Sequence, residues 1–207
     1  GRFSSQSTSV MGVSDDTRGS LLVRLRREGD QAAWEQFVEV YSPLVYAFLR
    51  RRGLQDADAG DVTQEVLQTV VRYLRGFQHE RRTGSFRNWL ITIARSRLSD
   101  FLARQARGVT GEGGTAALKR LEEEPSRNDE EEFLEREYEK CVFQWAAKRI
   151  RGSTRESTWQ AFWRTHIDGQ GCKEVAASLG LSVEAVYMAR CRVLARLKKE
   201  VERLEGE

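Results

Sequence analysis

From Phe86 onward, Trp89, Leu90, Ile93, Ala94, Leu98, Phe101 and Leu102 recur at three- and four-residue steps. That period gathers side chains on one side of an α-helix, so this side must be buried against something else. Ser85 follows Gly84 and is placed to cap the helix through its side-chain oxygen, with Thr83 as an alternative cap. The opposite arc carries Asn88, Thr92, Arg95, Ser96 and Ser99, while Arg97 and Arg104 fall toward the apolar arc with their heads at its rim. Between Arg81 and Arg107 seven arginines stand against one acid, Asp100, a local net charge of +6. A helix with a buried side and an arginine-bearing side, reached through a basic loop, suits contact with nucleic acid. The competing reading is an ordinary solvated amphipathic helix.

The rest of the chain is built in the same way. Asp15 or Asp16 can open a first helix to about Arg27, with Leu21, Leu22 and Leu25 inward. After Gly29-Asp30, the residues Trp34, Phe37, Val38, Tyr41, Leu44, Val45, Phe48 and Leu49 predict a long second helix, bent or restarted at Ser42-Pro43 and ended by Gly53. A third helix is expected from about Asp58 to Leu74. Val62, Val66, Val70, Tyr73 and Leu74 form its buried stripe, and Asp61, Gln64, Glu65, Gln68 and Arg72 its polar face. With the loop 76–84 and the helix after it, these make a four-helix module.

From Gly108 to about Asn128 the periodicity fails, and four glycines make a helix costly. Eleven acids against four basic residues between Glu112 and Glu139 give a net charge of −7. Such a block is expected to be a solvated tether, with nucleic-acid mimicry, or competition for a basic groove, as the alternative. Helical spacing resumes at Phe133, Leu134, Tyr138, Cys141, Val142 and Trp145, then at Trp159, Phe162 and Trp163, aromatics expected in a core. In the segment 172–187, Ala176 is small where two helices cross, Gly180 suits a tight turn, Ser182 can cap the next helix and Val186 packs back. That is a helix-turn-helix pattern, and Arg190, Arg192, Arg196, Lys198 and Lys199 make its later turns basic.

Composition narrows the function classes. No apolar run approaches the roughly 20 residues needed to span a bilayer, so no membrane insertion is expected. Cys141, Cys172 and Cys191 have no paired spacing and read as core-filling thiols in a reducing cytoplasm. His79 and His166 lie far apart, and neither CxxC nor HxxxH occurs; neither a metal nor another cofactor is expected. No catalytic constellation or phosphate-cradling glycine motif points to an enzyme. The serine-rich leader before Met11, a candidate natural start, is set apart as a disordered segment or cloning remnant.

Taken together, Asp61-Val62-Thr63-Gln64-Glu65-Val66, Ser85-Phe86 with Trp89-Leu90 and Ile93-Ala94-Arg95, Asp100 behind them, and the terminal helix-turn-helix resemble the extracytoplasmic-function (ECF) class of bacterial sigma factors. The resemblance runs over roughly residues 15–205. Trp159-Gln160-Ala161-Phe162-Trp163, Ala185-Val186-Tyr187 and the segment Arg192-Val193-Leu194-Ala195-Arg196-Leu197 are similar to a planctomycete-type variant.

The resemblance implies an all-α chain: a leader over 1–13, a four-helix region-two domain over 14–107, a flexible acidic linker over 108–130 and a region-four helix-turn-helix domain over 131–207. It implies a cytoplasmic, non-enzymatic subunit that binds core RNA polymerase and promoter DNA, opens the duplex and starts transcription. Asp61, Gln64, Glu65 and Gln68 would dock on polymerase. Arg81, Arg82, Phe86, Arg87, Asn88, Arg95 and Ser96 would meet the minus-ten element, where phosphates and an extruded base are held. Lys173, Ser182, Glu184, Ala185, Tyr187, Arg190, Arg192 and Arg196 would meet the minus-thirty-five element in the major groove. An anti-sigma protein or a regulatory kinase is a further candidate partner. Two positions depart from the family's pattern. Ser96 stands where many relatives have asparagine, and Ala185-Val186-Tyr187-Met188-Ala189 where Thr-Val-Lys-Ser-Arg is common, so the docking mode carries over and the base preference does not. A stand-alone helix-turn-helix regulator acting without polymerase remains the alternative.

Overall fold

The computed structural model describes residues 21–26, 29–74, 83–108 and 127–205, and the regular elements among them are all helical. In chain order these are α1 (Leu21–Leu25), α2 (Gln31–Arg51), α3 (Asp56–Tyr73), α4 (Thr83–Gly108), α5 (Arg127–Arg151), α6 (Glu156–Phe162), a wide turn over Trp163–Ile167, α7 (Cys172–Leu179) and α8 (Val183–Glu205). The predicted start of the first helix, Arg81, Arg82, the loop and the capping side chains of Thr83 and Ser85 lie outside the described residues.

Asp30 starts α2, accepting a hydrogen bond from the Ala33 N–H at 2.8 Å, and Arg24 of α1 holds the same carboxylate at 3.0 Å. The chain does not restart at Pro43: α2 is continuous across it. A proline inside a helix costs about 3 kcal/mol through the missing N–H and a clash one turn back. Val40, Tyr41, Leu44 and Val45 around it are buried, each burial contributing about 1.5–3 kcal/mol, so packing outweighs the defect. At the far end Gly53 turns the chain at φ +90°, a backbone conformation side chains disfavour.

Helix α3 places Val62, Val66, Val70 and Leu74 inward as predicted, but Tyr73 is 62% exposed. The stripe drifts because 3.6-residue turns carry a position three beyond Val70 to the edge of the contact. Helix α4 packs on α3 and α2. Phe86, Leu90, Ala94 and Leu98 are buried as expected; Ile91, assigned to neither arc, is buried too, while Trp89, Ile93, Phe101 and Leu102 are only half-buried. Neighbours on more than one side bury more than a single stripe.

Helix α5 packs along α2 and against α8, and Tyr138, Cys141, Val142, Trp145, Ala146 and Ile150 join Phe37, Phe48 and Phe86 in one apolar core. It begins at Arg127, so the last four residues assigned to the acidic linker are helical. Burial pushes the Tyr41 hydroxyl up to about 12, the Cys141 thiol up to about 11 and the Tyr138 hydroxyl upward as well. Of the three thiols only Cys141 is the expected buried filler; Cys172 is half-buried and Cys191 exposed.

The C-terminal pair has its own small core of Ala161, Val175, Ala176, Val186 and Ala189. Gly180 ends α7 at φ +65°, the left-handed conformation expected of the turn. The Ser182 side chain then accepts a hydrogen bond from the Ala185 N–H at 3.1 Å, capping α8. No described helix is long and apolar enough to cross a membrane.

Candidate polymerase and nucleic-acid interfaces

The polar face predicted on α3 is open at three of its four positions. Asp61, Gln64 and Gln68 are exposed, whereas Glu65 is half-buried and pairs with Arg104 of α4 at 2.9 Å. The side chain of Thr63 turns back to the Ala59 carbonyl at 2.7 Å, which keeps a buried hydroxyl satisfied and leaves the face to its neighbours.

On α4 the candidates separate. Phe86 is 0% exposed and packs on Phe37, Tyr41 and Trp89, with ring centroids 5.3–6.2 Å apart. It is therefore corrected from a DNA contact to a core residue, because a side chain in that cluster reaches a base only by emptying the core. Asn88 and Ser96 are exposed, and the Asn88 carbonyl accepts from the Thr92 hydroxyl at 2.8 Å. Arg87 and Arg95 are close to the surface but engaged. Arg87 donates to Glu135 at 2.6 Å with its guanidinium 4.4 Å from the centroid of the Tyr138 ring, and Arg95, 50% exposed, donates to Glu130. Arg81 and Arg82 lie outside the described residues.

Sequence reasoning missed the partner in this contact. Glu130 lies at the N-terminal end of α5 with its side chain 5% exposed, and its two oxygens accept from Arg52 of α2 and Arg95 of α4. It is the one buried charged residue among the described residues. Next to it Arg51 donates to the Asp129 carbonyl at 3.3 Å and lies over the Phe133 ring at 4.3 Å. The triplet Arg50-Arg51-Arg52 was a signal available in the sequence. Glu130 was not, being one acid in a long acidic block.

In the helix-turn-helix, Lys173, Ser182, Glu184, Tyr187 and Arg192 are exposed, and Ala185 and Arg190 half-buried. Arg190 leans on Cys172 Sγ at 3.6 Å. Arg196 is spent differently: it donates to Thr154 Oγ1 at 2.7 Å, to Ser153 Oγ at 2.6 Å and to the Ser153 carbonyl at 3.3 Å, tying α8 to the turn between α5 and α6. Its guanidinium is a staple here, while Arg192 projects freely enough to meet a phosphate. His166 stacks on Phe162 at 5.3 Å.

The region that holds the α3 face and the arginines of α4 has known counterparts. The sigma-70 region 2 family matches residues 37–108. Over 92 residues the chain is 33% identical to the ECF RNA polymerase sigma factor RpoE of Cereibacter sphaeroides, a match covering 44% of this chain and 50% of that protein. Residues 37–108 are thus similar to region 2 of sigma-70 factors, and the stretch matched to RpoE is similar to an ECF sigma factor. The chain spans about half the length of the curated relative it matches. A structure described as CnrH in complex with the cytosolic domain of CnrY aligns over 86% of this chain and 93% of that one at 23% identity, with a TM-score of 0.35. The matched stretch runs from within α2 to the end of α4, so the polar face and the arginine-bearing helix fall within one matched region.

Proposed function

We propose that the chain is a promoter-specificity subunit, not an enzyme, which binds core RNA polymerase and directs promoter recognition, DNA opening and the start of transcription. The observation that carries this reading is the coincidence, within residues 37–108, of the region 2 match with an exposed Asp61, Gln64 and Gln68 face on α3. Three unpaired polar side chains on one open helix face suit a partner protein surface. Glu65 contributes to the edge of that face once Arg104 is shared.

The arginines of α4, with Asn88 and Ser96, contact the minus-ten element, Arg87 and Arg95 on phosphates and the short polar groups nearer the bases. The helix-turn-helix serves as the region-four unit in the major groove at the minus-thirty-five element. Ser182, Glu184, Ala185 and Tyr187 stand in its early turns, with Lys173, Arg190 and Arg192 toward the backbone. Regulation by an anti-sigma protein or a kinase is part of the same proposal, and a pull-down with the full chain from the source cell tests it.

Run-off transcription with core polymerase and genomic fragments is the direct test, and failure to initiate on every fragment overturns the reading. The exposed helix-turn-helix also suits a regulator that binds duplex DNA without polymerase. Asp61→Ala with Gln64→Ala separates the two: loss of polymerase binding at unchanged DNA affinity supports the sigma-factor reading, and unchanged polymerase binding supports the stand-alone regulator.

A further inference from the structure

We propose that Arg51, Arg52, Arg87 and Arg95 form a single phosphate-binding surface for promoter DNA and that the N-terminal turns of α5 occupy it in this structure, with Glu130 standing where a phosphate would bind. The inference rests on the reading of α4 as the minus-ten helix, and it extends that surface to two arginines of α2 and assigns it an internal occupant.

The chemistry of the contact is that of a phosphate site. Glu130 offers two oxygens to two guanidinium groups from different helices, a planar donor set that matches carboxylate and phosphate alike. A charge this deeply buried is tolerated only when paired, so Glu130 holds its place through Arg52, 10% exposed, and Arg95. Glu135 does the same for Arg87 one turn and a half further along α5, and the Arg51 guanidinium closes the row at the Asp129 carbonyl. Glu130 also sits in the first turn of α5, where the helix dipole favours a negative charge, so the occupant is stabilised from its own side as well.

Geometry says that the contact must break for function. The two promoter elements are about 25 base pairs apart, roughly 85 Å of duplex. The described residues, folded round a shared core, have a radius of gyration of about 15 Å, too small to reach both. Separation of α5 from α2 and α4 therefore frees the arginines and lets the helix-turn-helix move away in one event. Phosphate and Glu130 compete for the same donors, so DNA binding and opening are coupled, each favouring the other.

The test compares the full chain with Glu130→Gln, Glu135→Gln and Glu132→Gln, using fluorescence anisotropy with a labelled single-stranded DNA of mixed sequence. Small-angle X-ray scattering of the free proteins accompanies it. Glu132 pairs with Arg136 on the open side of α5, so E132Q makes the same change of charge outside the contact. E130Q is expected to bind about tenfold tighter and to have a larger radius of gyration, because charged hydrogen bonds hold the closed form. E135Q gains about twofold to threefold, since its side chain is half exposed and screened, and E132Q less than twofold. Adding Arg52→Ala to E130Q removes most of the gain. An E130Q affinity within twofold of the wild type, or an E132Q gain equal to it, overturns the proposal. If E130Q fails to fold by circular dichroism, E135Q decides alone: no gain in affinity overturns it. Run-off transcription separates the two readings. Wild-type initiation without an E130Q affinity gain sinks the internal occupant and leaves the sigma factor, while an affinity gain without initiation does the reverse.

Discussion

Helix α4 and the helix-turn-helix α7–α8 are both candidates to touch DNA, yet they are held in opposite ways. α4 lies in the shared core, its Phe86 packed on three aromatic rings and its Arg87 and Arg95 bound to acids of α5. α7 and the first turns of α8 rest on a separate cluster of alanines and valines, while Val193, Leu197 and Leu204 of α8 join the shared core, and Ser182, Glu184, Tyr187 and Arg192 face solvent. One candidate DNA face is therefore occupied from within and the other is open. The difference teaches that basic charge on a helix does not define a free binding surface; what is packed against it does.

The comparison breaks most visibly at Phe86. Replacing it with alanine is expected to cost about 3–5 kcal/mol through lost transfer energy and a cavity. Because α2, α4 and α5 share that core, urea denaturation followed by tryptophan fluorescence should show one transition moved as a whole. Two separated transitions would mean that the α5 contact is too weak to couple the modules.

Alkaline pH probes the same core. Tyr41 is held up from 10.0 to about 12 and Cys141 from 9.0 to about 11, both by burial first, so the fold favours their protonated forms. A group raised in the fold contributes stability that is fully present below its unfolded pKa and lost as pH rises through the folded one. The melting temperature should thus be flat to about pH 9 and fall between pH 9 and 12, with a loss on the order of 5 kcal/mol at most from the two groups together. The five buried residues of the helix-turn-helix cluster carry no titratable side chain, so the loss should appear in the α2–α5 core alone.

On the helix-turn-helix side, Val186→Ala should cost about 2 kcal/mol from two lost methyl-sized contacts and the void they leave. Amide hydrogen exchange should show the loosening confined to α7 and the first turns of α8. The smallest expected effect is Ser182→Ala, about 1 kcal/mol for a lost helix cap. Duplex DNA affinity measured beside the melting curve sharpens the point: a fall in affinity larger than the stability change makes Ser182 a contact residue as well as a cap.

Much of the architecture was legible in advance. The three- and four-residue spacing located α2, α3, α4 and the helical stretches after residue 131, and Ala176, Gly180, Ser182 and Val186 placed the turn and its cap. These features are local, and each residue's role follows from neighbours within one or two turns. Pro43 did not restart the helix, as the sequence allowed, because the packing on either side of it outweighs the local penalty. Ile91 and Tyr73 misled because a single stripe was assumed where the neighbours lie at unequal angles round the helix.

Sequence by itself determined that the described residues are helical, roughly where the helices lie, and which segments carry the region 2 and helix-turn-helix patterns. Only the tertiary structure decided which charged groups are free. Glu130 meets Arg95 across 35 positions and Arg52 across 78, and Arg196 meets Thr154 across 42. No periodicity records such pairings, since a guanidinium at a given helical position is the same in sequence whether its partner is water, a phosphate or a carboxylate brought in by another helix. Burial and pairing come from the packing of whole faces, and that is where the arginines of α4 acquired their occupant.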